Sequence, residues 1–170
     1  MSLYTASAPQ LAKMLKSLDR WLTLASEQAK ERSFDPAVLL VARLAPDQYT
    51  LMRQIQSACD AAKFAAARLT GKEAPKHPDT EQTLDEIRAR IAAVVSYLDT
   101  FTAADFEGAS QRDIALPFLE GKVMRGTDYL NEMVLPNFYF HVTTAYAILR
   151  HNGVKLGKID FIGGLTLRDP

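Results

Sequence analysis

One cysteine, one tryptophan and three histidines are all that 170 residues contain of the side chains most often spent on staples and metals. The lone Cys59 leaves no intrachain disulfide to form, which points to a reducing, cytoplasmic compartment. Charge of one sign is also missing. Lysine plus arginine and aspartate plus glutamate each number 20, so there is no basic excess of the kind a nucleic-acid binder uses. Long apolar runs are absent as well. The stretches AVLLVA at 37–42 and IAAVV at 91–95 fall far short of the ~18 residues of a membrane span. The opening MSLYTASAPQ lacks the basic start and apolar core of a signal peptide. No internal repeat or low-complexity segment interrupts the chain. What is present is ordinary for a globule: 48% apolar and 24% charged residues. At roughly 100–200 residues per domain the expectation is a single domain over 1–170, with a core large enough to need no metal or disulfide.

Four segments carry helical periodicity. Leu11, Leu15, Leu18, Leu22 and Ala25 recur at steps of three and four, with Ser7 as a candidate cap and Pro9 in the first turn. Asp35-Pro36 predicts a short helical turn, and Pro46 restarts the pattern. Met52, Ile55, Cys59, Ala62, Ala66 and Leu69 then share a face up to the stop at Gly71. Residues 71–80, with two prolines and His77, read as a loop. Leu84, Ile87, Ile91, Val94, Leu98 and Phe101 give the cleanest stripe, capped by Thr80 or Thr83. Residues 102–126 are not helical by pattern. Asp113–Phe118 and Lys122–Arg125, split at Glu120-Gly121, predict a short hairpin. The last helix is expected to begin near Pro136, or earlier with a kink there, and to end at Asn152-Gly153. The apolar residues of the tail, 154–170, require cover from the bundle or from a second subunit. Four amphipathic helices in one domain imply an all-α antiparallel bundle.

Chemical motifs are sparse. Gly153 to Lys158 imitates a phosphate loop but has three residues between its glycines, Ile159 after the lysine, and a helix before it. His141 and His151 are ten residues apart, about 15 Å along a helix, and so do not share an ion. No nucleophile elbow is present. Two polar stripes remain. Arg53, Gln56, Asp60 and Lys63 follow one strip of the second helix. Asn137, His141 and Thr144 share a face of the fourth, flanked by Tyr139 and Tyr146. One reading makes them ordinary surface pairs. The other turns both stripes into one cleft with apolar walls.

The stretch ARLAPDQYTLMRQIQSACDAAK (42–63), followed by PNFYFHVTTAYAILRHNGVKLGKIDFIG (136–163), resembles an uncharacterised branch of the DinB/YfiT-like bundle superfamily. The resemblance spans essentially the whole chain. It implies a four-helix bundle of up-down-down-up topology and a homodimer. The superfamily includes metal-dependent thiol transferases and isomerases, whose site takes one histidine from the second helix and a His-x-x-x-His pair from the fourth. This chain departs from that pattern, because its second helix has no histidine and Ala145 stands four residues after His141. The resemblance therefore carries the fold and not the metal or the transferase chemistry.

The leading expectation is a bundle that binds a small, anionic molecule between its second and fourth helices, with no metal or cofactor. Arg53 and Lys63 hold the anion, Asp60 orients one of them, and His141 titrates near neutral pH. Gln56, Asn137, Tyr139 and Tyr146 complete the candidate ligand-binding set. The alternatives are a non-enzymatic dimeric interaction or stress-response protein and a metal-dependent thiol transferase-like enzyme.

Overall fold

The computed structural model describes residues 2–169. It is mainly helical. Four long helices carry the core: α2 (Ala8–Glu31), α4 (Leu51–Thr70), α5 (Leu84–Leu98) and α7 (Leu135–His151). Four short helices were not separate expectations, save one: α1 (Leu3–Ala6), α3 (Ala37–Leu40), α6 (Gly126–Asp128) and α8 (Lys158–Ile162). Of these, α3 falls where Asp35-Pro36 predicted a turn, and Asp35 Oδ1 accepts the Ala37 N–H. The predicted hairpin is present: β1 (Asp113–Ala115) pairs antiparallel with β2 (Val123–Arg125), Ile114 opposite Met124.

The predicted apolar stripes are the buried ones. Leu11, Leu15, Leu18 and Leu22 of α2 meet Ile55, Cys59 and Ala62 of α4, Ile87 and Ile91 of α5, and Phe138 and Val142 of α7 in one core. The alanines of α4 let its neighbours approach closely, and Ala58, Ala62, Ala65 and Ala66 have no exposed surface. Gly71 and Gly153 end α4 and α7 at φ of 76° and 89°, a left-handed stop that glycine takes without a Cβ clash.

Three boundaries differ from expectation. The Ser7 hydroxyl does not cap α2; it donates to the Leu3 carbonyl (2.6 Å) and holds α1 against α2. α4 begins at Leu51, capped by Thr50, so Pro46 lies outside it. At the start of α5 the cap is as expected: Thr83, one of the two candidates, forms a capping box with Glu86. The final helical run starts at Gly126, well before Pro136. α6 leads into a π-helical stretch, Tyr129–Val134, which runs directly into α7. Pro136 has no N–H for the carbonyl one turn earlier, and its ring crowds that turn. The wider π turn immediately before it accommodates the mismatch.

Polar pairs fix which helix ends meet. Gln54 meets His141, and Arg68 meets Tyr129, along α4 and the last helix. Arg88 of α5 donates two hydrogen bonds to the Asp19 carboxylate of α2 (2.7 and 3.1 Å). Tyr97, late in α5, donates to the Glu73 carbonyl just past α4. Arg90, earlier in α5, reaches Gln56 and Asp60. The segment 71–83 therefore runs back along α4 as a strap, rather than turning tightly. No helix among the described residues is long and apolar enough to cross a membrane.

Candidate functional site

The polar strip of α4 is organised by a residue of α5 that was not expected. The Arg90 side chain is 1% exposed. Its guanidinium meets Asp60 (2.6 Å), Asp79 (2.6 Å) and Glu81 (3.0 Å), and reaches the Gln56 carbonyl. Its Nε is buried without a partner among the described residues. Burial works against the charge, but the hydrogen bonds with Asp79 and Glu81 and the charge of Asp60 outweigh it, so the guanidinium is held above its ordinary pKa. Asp79 and Glu81, both on the strap, are pulled below the usual carboxylate range. Burial opposes this; the bonds from Arg53 and Arg90 prevail at Asp79, and a backbone hydrogen bond together with Arg90 and Gln56 prevails at Glu81.

Arg53 and Gln56 belong to this network. Arg53 pairs with Asp79 and donates to Gln56, whose amide donates to Glu81 (2.9 Å). Lys63 is buried, 3% exposed, with Asp60 at 2.8 Å. Its ammonium stands 3.0 Å from His77 Nδ1. An ammonium only donates, so His77 accepts and is neutral there. Burial first, then the charges of Lys63 and Arg90, lower its pKa. Arg53 and Lys63 are thus each paired with a carboxylate of the chain.

A cleft of about 260 Å³ opens between α4 and the last helix. Asp60 and His141 both line it, as does Asn137. Arg53, Gln56 and Lys63 do not. Tyr139 and Tyr146 lie elsewhere: the Tyr139 hydroxyl accepts from Gln10 (2.8 Å), and Tyr146 packs edge-on against Trp21. In their place Tyr49, Phe64, Arg68 and Tyr129 line the cleft. A second, wider groove of about 690 Å³ adjoins it under the strap and shares Asp60, Phe64 and Arg68.

His141 has a defined tautomer. Gln54, wholly buried, donates its amide to the Tyr49 carbonyl (3.4 Å) and turns its oxygen to His141 Nδ1 (2.7 Å). An amide oxygen only accepts, so Nδ1 carries the proton and Nε2 keeps its lone pair. Burial, then the charge of Arg53, lowers the imidazole's pKa, which keeps it neutral. Arg68 sits over the Phe64 ring (4.8 Å) and donates to the Tyr129 hydroxyl (3.0 Å). No carboxylate pairs with it among the described residues. Cys59 is buried and its thiol is pushed up to about 12 by that burial, so it is packing rather than chemistry.

The residues do not fit the superfamily's metal centre. The α4 side chain facing His141 is Gln54, whose oxygen is already committed, and Ala145 occupies the position one turn on. Among the described residues no three of His, Cys, Asp and Glu are placed to hold an ion.

No curated protein matches the chain. A solved structure, a DinB family member protein from Shewanella denitrificans, is 48% identical, covers 99% of this chain and 96% of its own, and superposes with a TM-score of 0.95. The family model for a domain of unknown function, DUF1993, matches residues 3–162, and the chain belongs to that family, a DinB-like branch.

Proposed function

We propose that this DinB-like protein binds a small molecule in the cleft between α4 and α7, without a three-histidine metal site. The observation that carries the reading is His141, held by Gln54 so that Nε2 keeps a free acceptor in a cleft that also contains an uncompensated Arg68. The four long helices are taken as an up-down-down-up bundle, a reading supported by the pairings of Tyr97 with Glu73 and of Arg88 with Asp19. The protein is further taken as a cytoplasmic homodimer. The unpaired Cys59 supports the compartment, and the exposed Val38, Val41, Leu165 and Leu167 support the assembly.

The competing reading is a non-enzymatic interaction protein. It is favoured by the Arg90 network, in which Arg53 is paired with Asp79, Gln56 with Glu81 and Lys63 with Asp60. A fragment screen followed by amide chemical shifts separates the two. Under the binding reading, hits move the amides of Ser57, Asp60 and Asn137. If no fragment at millimolar concentration moves them, the interaction reading replaces it.

A further inference from the structure

The cleft has a cation at one end, an imidazole acceptor at the other, and a mixed middle with an apolar wall. At one end Arg68 lies over Phe64 with no carboxylate partner among the described residues. At the other, His141 presents Nε2 with no protein partner among the described residues, since its single side-chain bond is through Nδ1. Between them the walls carry Ala61, Phe64, Met133 and Val134, with Ser57 and Asn137 as polar groups beside them. Asp60 also reaches the cleft, but both its cation partners, Lys63 and Arg90, sit on Oδ1, so its charge is met from outside.

The spacing sets a length. Gln54, which marks the His141 end, and Phe64, which marks the guanidinium, are separated by roughly 15 Å of helix axis. Subtracting a hydrogen bond of about 3 Å at each end leaves roughly 9 Å between the polar ends of a ligand. A volume near 260 Å³ over that length is narrow, the room of about nine waters. We infer that the cleft takes an elongated monocarboxylic acid with an aryl body and a hydroxyl at its far end. The carboxylate sits on Arg68, the ring against Phe64, Met133 and Val134, and the hydroxyl donates to His141 Nε2. Arginine suits the carboxylate because its fork donates two hydrogen bonds in one plane. A fixed acceptor rejects an analogue without the hydroxyl, because the imidazole nitrogen is then desolvated and unpaired.

This inference rests on the cleft reading, and its test keeps the two apart. Calorimetric titration of the full chain uses three probes: 3-(4-hydroxyphenyl)propanoate, 3-phenylpropanoate and 3-(4-hydroxyphenyl)propanamide. The hydroxy acid should bind about tenfold more tightly than either of the others. In Arg68→Gln the preference for acid over amide should vanish while the hydroxyl preference remains. In His141→Phe the hydroxyl preference should vanish instead. The ligand comparison is made on the unaltered protein, so it stands even where a variant fails to fold. Equal binding of acid and amide, equal binding with and without the hydroxyl, or no binding of the hydroxy acid overturns the inference. If fragments of other chemistry then occupy the cleft, the binding reading survives; if none does, both fall.

Discussion

At the scale of single residues, the consequential side chain is Arg90. It is buried, and three carboxylates depend on it. Removing one partner of a buried pair costs about 3–5 kcal/mol, because the remaining charges lose their compensation. Arg90→Gln should therefore lower stability by about 3 kcal/mol, read as a shift in the urea midpoint. Asp60 is 30% exposed and shares its charge with two cations, so Asp60→Asn should cost less, about 1.5 kcal/mol, between the exposed and buried limits. An Asp60→Asn loss equal to or above that of Arg90→Gln would contradict this ranking. The histidines add a pH dependence with a definite sign. His77 and His141 are both held below their ordinary value of 6.5, so the folded state binds fewer protons than the unfolded chain. The stability they contribute is present above about pH 6.5 and is lost as pH falls through their folded values. Asp79 and Glu81 are also lowered, so their contribution is present above about pH 4 and is lost in stronger acid. The urea midpoint should fall in two stages. In His77→Gln the first stage should become shallower, because glutamine offers Lys63 an acceptor that does not titrate. An unchanged first stage would leave the Lys63–His77 contact without a part in proton linkage.

At the scale of elements, the last helix is where sequence and structure diverge most informatively. Its polar face through Asn137 and His141 was legible, and so was its glycine stop. Its beginning was not, because Pro136 reads as a start. In the structure Pro136 stands inside a continuous helical run, and the preceding π turn absorbs it. That turn also sets the phase of Tyr129 and Met133 toward the cleft. Pro136→Ala restores the missing N–H, so the stretch Tyr129–Val134 should tighten toward ordinary α geometry. Amide exchange there should slow, and the Arg68–Tyr129 hydrogen bond should be lost. Exchange no slower than in the parent would mean that packing, and not proline, imposes the π turn. The α5 stripe was equally legible through Leu84, Ile87, Ile91, Val94 and Leu98, yet it concealed Arg90. The available signal was an arginine immediately before Ile91, on the edge of a buried stripe, with Asp79 and Glu81 just upstream. Nothing in local spacing says that a strap folds back to bring those carboxylates to it, since 71–83 pairs with α4 at a distance of many residues. Most of the cleft was missed: of its eleven lining residues only Asp60, Asn137 and His141 were anticipated, Tyr49 and Tyr129 come from segments with no periodicity to read, and Phe64 and Arg68 lie on the strip of α4 beside the one that was read.

At the scale of the whole molecule, the C-terminal tail decides how the apolar surface is closed. Val154 and Leu156 are buried, and Phe161 of α8 stacks on Trp21 at 5.5 Å. The Trp21 indole donates to the Asp160 carbonyl (3.0 Å), so the tail covers the ring and satisfies its N–H together. On the outer side of α8 and beyond it the cover is incomplete, with Ile159, Leu165 and Leu167 exposed. The tail thus has an inner part that completes this subunit and an outer part available to a second copy. Two truncations separate these roles. Ending the chain after Gly163 keeps Phe161 and Asp160 on Trp21 but removes Leu165 and Leu167. If the proposed homodimer uses the outer tail, that variant should sediment as a monomer while its thermal midpoint in dilute solution stays close to the parent monomer's. Ending it after Gly153 strips Trp21 of both its stacking partner and its acceptor. Losing a buried aromatic contact of this kind costs about 3 kcal/mol or more, by analogy with large-to-small core changes. The shorter variant should therefore melt well below the longer one and aggregate through the bared face of α2 and α7. If the full-length chain sediments as a monomer at high micromolar concentration, the homodimer reading is lost, and the outer leucines need no partner. If instead both truncations leave the melting point unchanged, the Trp21 contact contributes little, and the inner tail is an adornment of a core already complete.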